Sequence, residues 1–188
     1  AAYSTALLPH LVGALADTRP GTVLLDPMGG DGVRLGEIAA DLNLTPIGVE
    51  IEPEFARTSP HMIVGDARHL PFPTGSISAI VTSPPYGNRF ADPYLGTPAE
   101  RAERAERAAT GRRPRRRSYA IALGRRLSEG SAAAERWGDG YRSLMGAVWA
   151  EVTRVAAPDA VLVVNHADHS RGGHRQRVTR WHRDTLES

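Results

Sequence analysis

Cysteine is absent from the 188 residues, and so is lysine: all 23 basic side chains are arginine. The first absence excludes disulfides and thiolate metal centres, and it suits a reducing, cytoplasmic compartment. The second needs no functional cause, because a GC-rich genome produces the same bias. No apolar run approaches the ~20 residues needed to span a bilayer, and the start, Ala1-Ala2-Tyr3-Ser4, is no signal peptide. No membrane partner is expected. Acids and bases nearly cancel, at a formal net charge of +2, too small an excess to demand a polyanionic partner by itself.

The distribution of charge says more than its sum. Ten arginines fall between Arg101 and Arg126, with Glu100, Glu103 and Glu106 nearby. Arginine makes bidentate contacts to phosphate, so Arg112, Arg113, Arg115, Arg116 and Arg117, together with Arg89, are candidate nucleic-acid contacts. For any single one of these arginines a solvated loop is the better reading, while for the cluster as a whole the two readings stand level. The chain is expected to form a single domain over residues 1–188, large enough for a sizeable core. Residues 87–140, where periodicity dissolves into Arg, Ala, Gly and Pro, read as an insertion over the mouth of the site.

The first ninety residues alternate strand and helix. Ala6 to Ala16 reads as a leading helix. Thr22-Val23-Leu24-Leu25 is a short apolar run of the buried-strand kind, ending at Asp26. Pro27, Met28, Gly29, Gly30 and Gly32 then permit a tight turn and close approach of a ligand to the backbone. Val33 to Leu42 carries apolar residues at helical spacing. Pro46 to Val49 forms a second strand ending in Glu50, and an acid roughly 20 residues beyond the glycines suits the two hydroxyls of a ribose. Glu52 is a weaker candidate, one step into the turn beside Pro53. Met62 to Val64 is a third strand, leading to Gly65-Asp66-Ala67. Ile77 to Thr82 is a fourth, and it opens into Ser83-Pro84-Pro85-Tyr86.

That tetrapeptide sets a hydroxyl, two rigid carbonyls and an aromatic face at a strand end. Nicotinamide binding fits the glycines poorly, since Leu35 stands where a third glycine belongs. Further on, Tyr141 to Val155 reads as an amphipathic helix with Leu144, Val148, Val152 and Val155 on one face. Pro158-Asp159 turns it into a fifth strand, Ala160 to Val164. A last helix runs from Arg177 to Leu186. Trp137 and Trp149 are expected in the core. His166, His169 and His174 have no recognised zinc spacing and read as polar loop residues, so no metal is expected. Asn165 and Asp168 stand at the edge of a doubly wound sheet that faces ligands.

The glycine turn followed by Ser83-Pro84-Pro85-Tyr86 resembles the S-adenosylmethionine-dependent methyltransferases that alkylate exocyclic amino groups, chiefly of DNA bases. The resemblance implies an α/β fold, a doubly wound and mostly parallel Rossmann-like sheet. Its strand order would be 3-2-1-4-5, cut short before a final two-stranded hairpin. It implies S-adenosylmethionine as cofactor, with Asp26, Gly30 and Glu50 around it and Asp66-Ala67 at its adenine. Ser83 Oγ and the Pro84 carbonyl would accept hydrogen bonds from the target amine, turning its lone pair toward the methyl group. Pro85 would stiffen the turn, and Tyr86 would stack on the base. Serine at position 83 is most similar to the N4-cytosine enzymes, so cytosine is favoured over adenine as the target. An RNA guanine-N2 methyltransferase and a non-catalytic nucleic-acid-binding remnant stay open as alternatives.

Overall fold

In the computed structural model, residues 5–87 and 119–188 are described. Arg89 and the arginines at 112, 113, 115, 116 and 117 lie outside them. So do residues 98–109, whose sequence reads as a partial helix within the insertion.

The elements run α1 (Leu8–Ala14), β1 (Val23–Asp26), α2 (Val33–Leu42), β2 (Thr45–Glu50), α3 (Pro53–Ala56), β3 (Met62–Val64) and β4 (Ile77–Thr82). After the undescribed stretch come α4 (Tyr119–Leu123), α5 (Asp139–Val155), β5 (Ala156–Val164), a β6–β7 hairpin (His169–Arg171 and His174–Gln176) and α6 (Val178–Leu186). The sheet has five strands in the order β3-β2-β1-β4-β5, every pair parallel. This is the expected order.

Alternation along the strands explains the layers, because successive side chains face opposite sides. Leu24, Ala79 and Val81 pack with Leu11 of α1 and with Leu35, Ile38 and Ala39 of α2. Leu25, Val49 and Ile80 face the other way, onto Tyr141, Met145, Val148, Trp149 and Val152 of α5. Both faces of the central strands β1 and β4 are covered, which is why these two read as nearly unbroken apolar runs, while the edge strands leave Ile63, Val64 and Val161 exposed. Trp149 is buried in this second layer and Trp137 packs against it, as expected of both.

Two boundaries differ from expectation. The fifth strand begins at Ala156, directly after α5, so Pro158 and Asp159 do not make a turn before it. Its register against β4 jumps instead, from Ile77↔Ala156 to Ala79↔Val161. The surplus residues, Pro158 and Asp159 among them, bulge out of the ladder, where a missing N–H is tolerated. The second difference is the β6–β7 hairpin, where a polar loop was expected. Gly172 and Gly173 both have positive φ, 57° and 79°, the conformation that a two-residue hairpin turn of the primed type requires. His169 and His174 belong to its two strands, while His166 precedes it.

Candidate active site

All four sequence-derived clusters fall at the carboxyl ends of the parallel strands. The order reverses between β1 and β4, and an open sheet of this kind forms its ligand crevice at that point. One cavity there is lined by Pro27, Met28 and Gly30 from the glycine turn, Glu50 from β2, and Asp66 and Ala67 from beyond β3. Pro85 reaches it from the β4 side.

The glycine turn is held by carboxylates. Asp26 is fully buried, and its Oδ1 accepts the Met28 N–H at 3.0 Å. Gly30 has φ 62° and Gly32 φ 71°, both in the region that side chains avoid. Gly29 and Gly32 do not face the cavity. A Cβ on either would come within 2.8 Å of the Met62 side chain, so their smallness makes room for Met62.

Glu50 closes the turn from across the sheet. Its Oε2 accepts the Gly30 N–H at 3.0 Å and its Oε1 the Glu52 N–H at 2.9 Å. Burial raises its carboxyl above the ordinary range, and those two amides partly offset the rise. One acceptor position on each oxygen is left for a further donor, the geometry a pair of vicinal hydroxyls would meet.

Glu52 has a different occupation. It is buried, and its carboxylate accepts the Ser128 N–H at 2.8 Å, the Ser128 hydroxyl at 3.0 Å and an Arg125 nitrogen at 2.8 Å. Arg125 also grips the exposed Glu54, holding that carboxyl down at about 2. Glu52 therefore fastens the segment after α4 to the sheet. The fastened segment brings Tyr119, Leu127, Gly130 and Ser131 to the cavity wall. The sequence offered no signal for them, since the tie spans more than seventy residues. Asp66 is engaged bidentately by Arg68, with distances of 2.6 to 3.1 Å, and accepts the Arg68 N–H as well. An amino group arriving at Asp66 would have to take over one of these contacts.

The Ser83–Tyr86 turn is braced from behind. Ser83 is buried. Its Oγ lies 3.2 Å from the Tyr86 hydroxyl and accepts an Asn165 Nδ2 hydrogen at 3.1 Å. When Ser83 donates to Tyr86, one lone pair stays open for an incoming N–H. Asn165, at the end of β5, thus has a definite contact where only its edge position could be read from sequence. Beyond Tyr86, a chain of side chains from α5 and α6 carries one fixed polarity. The Trp149 indole can only donate, and it donates to His182 Nδ1 at 2.8 Å. The imidazole proton therefore sits on Nε2 and points to the Tyr141 oxygen at 2.9 Å. Tyr141 in turn donates to the Pro85 carbonyl at 2.5 Å. His182 is almost wholly buried, and burial pushes its pKa down to about 3. His166 stacks on it at 3.7 Å and lies 5.8 Å from the Tyr86 ring, with its own pKa lowered by burial to about 4. It lies in the loop between β5 and β6, as expected, and its ring packs there against Tyr86 and His182.

Among the described residues no group of three or more His, Asp or Glu side chains could hold a metal ion, and no helix is long and apolar enough to cross a membrane. No protein-family model matches the chain, and no curated protein matches it significantly. Solved structures do. The [4+2]-cyclase SpnF is similar over 100% of this chain and 58% of its own length, with 15% identity and a TM-score of 0.56. The fold is Rossmann-like. Two weaker likenesses are the PH0226 protein of Pyrococcus horikoshii and a SAM-dependent methyltransferase of Geobacter sulfurreducens solved with S-adenosyl-L-homocysteine. The former has 17% identity over 84% of this chain and 53% of that one, at a TM-score of 0.47. The latter has 21% identity over 45% and 39%, at 0.38. The chain spans between a third and three-fifths of the length of these and similar structures. A cyclase on this Rossmann-like scaffold shows that the fold alone does not decide the chemistry.

Proposed function

We propose that the chain is an S-adenosylmethionine-dependent methyltransferase acting on an exocyclic amino group of a DNA base, cytosine N4 before adenine N6. The observation that carries this reading is the buried Ser83 Oγ. Asn165 orients it at the end of β4, and Pro85 of the same turn borders the cavity that Gly30, Glu50 and Asp66 line. The amine acceptor and the cavity are thus joined through one turn.

The residues fit the cofactor. Glu50 retains two acceptor positions for the ribose hydroxyls, and Gly30 allows the chain to pass close by. Ile51, Phe55 and Tyr119 supply apolar walls for the adenine. Asp66 reaches its amino group once Arg68 yields a contact. When bound, the cofactor supplies an electrophilic methyl group. The protein's part is then to orient the amine. Ser83 Oγ and the Pro84 carbonyl accept its two N–H bonds, which withdraws them from the ring plane and frees the lone pair. The prolines hold that carbonyl without offering a competing donor. Tyr86 covers one face of the ring. A base inside a duplex cannot reach this turn, so the target must be single-stranded or flipped out.

The test is mass spectrometry of nucleosides from DNA and RNA incubated with the protein and methyl-labelled cofactor. Label in N4-methylcytosine or N6-methyladenine supports the reading. Label confined to N2-methylguanine from RNA replaces the substrate. No transfer to either polymer, with the cofactor bound, overturns it.

A further inference from the structure

We propose that the outer face of α6, with the β6–β7 hairpin beside it, is a phosphate-gripping surface for the DNA strand that carries the target base. The proposal rests on the nucleic-acid reading above and adds where the backbone lies. It is independent of the arginine run at 112–117.

Arg180 and Arg183 stand three residues apart on α6, so they share one side of the helix, and Arg177 lies just before its first turn. The opposite side is anchored by Val178 and His182, both buried. Arg175 approaches from β7. Between hairpin and helix lies an open groove lined by His166, Asp168, Arg175, Thr179, Arg180 and Arg183. The acids within reach are few and already committed. Asp168 accepts the Thr179 N–H at 3.0 Å and Arg175 Nε at 2.9 Å, which leaves the two terminal nitrogens of Arg175 for another acceptor. Asp184 serves both Arg180 and Arg183, at 3.4 and 3.5 Å. Their side chains are 62% and 63% exposed, and that of Arg175 76%. The two pairs with Asp184, so long and so exposed, hold little energy, so a phosphate can draw Arg180 and Arg183 away and meet their planar forks bidentately. Arg175 offers its terminal nitrogens without leaving Asp168.

Position gives the surface its meaning. His166 belongs to the groove wall, and its ring lies 5.8 Å from that of Tyr86. A base stacked on Tyr86 would therefore leave its sugar and flanking phosphates beside the groove. Flipping a base costs a few kcal/mol, and contacts to the phosphates on either side of the gap offset that cost.

The experiment compares the salt dependence of DNA binding for the wild-type protein and for a variant combining Arg175→Ala, Arg180→Ala and Arg183→Ala. Each phosphate neutralised contributes about 0.9 to the slope of log K against log salt. The slope should flatten by roughly two to three in the variant, while S-adenosylmethionine affinity stays the same. A variant of the five arginines at 112, 113, 115, 116 and 117 serves as the parallel arm. An undiminished slope in the α6 variant overturns this surface and leaves the methyltransferase reading intact. A wild-type protein that binds no DNA overturns the DNA reading and this surface together.

Discussion

The cofactor end and the substrate end of this site are built from different materials. Around Gly30 the turn is held by carboxylates that accept backbone amides two to twenty residues away. Asp26 holds an amide two residues on, and Glu50 holds the amides of Gly30 and Glu52. Around Ser83 the brace comes from far away in sequence. Tyr141 reaches Pro85 across 56 residues and Asn165 reaches Ser83 across 82. Short-range backbone turns can be rebuilt on almost any sequence with the right glycines and acids. A long-range side-chain brace is specific to its chain, and it is where substrate choice can be adjusted without disturbing the cofactor. If that is so, mutations at the two ends should separate binding of cofactor from transfer of its methyl group.

The largest separation is expected at Glu50. Glu50→Ala removes two charged acceptors from the ribose, each hydrogen bond worth about 1.5–3 kcal/mol, and leaves two amides without a partner. S-adenosylmethionine affinity should fall at least tenfold by calorimetry in a folded variant. An unchanged dissociation constant breaks the cofactor half of the comparison. At the other end, Tyr86→Ala removes base stacking worth about 1–3 kcal/mol. Its kcat/KM should drop by roughly ten- to a hundredfold with cofactor affinity intact. Parallel losses in both quantities would mean that the ends are not separable.

Smaller effects probe the brace. Tyr141→Phe keeps the ring but strands the Pro85 carbonyl and the His182 Nε2–H. A hydrogen bond of this kind contributes about 0.5–1.5 kcal/mol, so turnover should fall several-fold while cofactor binding is untouched. A loss of cofactor affinity equal to the loss of turnover would reassign Tyr141 to general packing.

The smallest effect is one of pH. The unfolded chain protonates His166 and His182 near pH 6.5, whereas in the fold their values are about 4 and about 3. Between these limits the unfolded state binds more protons. The stability held by keeping the two rings neutral is thus full above about pH 6.5 and is lost as pH falls toward about 4. His166→Phe preserves a stacking ring with one fewer titrating group, so its melting temperature should change less between about pH 7.5 and about pH 5. A slope equal to the wild-type slope would move the acid sensitivity to other groups.

The difference between the ends also governs what could be read from the sequence. The apolar runs at 62–64 and 77–82 gave their strands to the residue; the second is buried and reads as a nearly continuous hydrophobic stretch, whereas the first is an edge strand that leaves Ile63 and Val64 exposed. Gly30, Glu50 and Asp66 were legible through their positions at strand ends. The relay through Trp149, His182 and Tyr141 was not, because nothing local distinguishes a core histidine that orients a hydroxyl from one that merely packs. Tyr119 escaped for the same reason: the partners that fasten its segment, Arg125 and Ser128, meet Glu52 only after folding. The Gly172-Gly173 hairpin carried a signal in its paired glycines, but the neighbouring histidines drew the reading toward a polar loop. Gly29 and Gly32 were placed in the right turn, but the side chain for which they make room, Met62, comes from another strand and was not foreseen.

The most direct test of the account is a single-turnover measurement of methyl transfer at saturating S-adenosylmethionine, comparing the wild-type protein with Ser83→Ala. The substitution deletes the oxygen that accepts the amine and leaves the glycine turn, Glu50 and Asp66 as they are. The account predicts unchanged cofactor affinity and a transfer rate lowered by about tenfold or more, as expected for a hydrogen bond made to the reacting group. A Ser83→Ala protein that transfers the methyl group at the wild-type rate would contradict it.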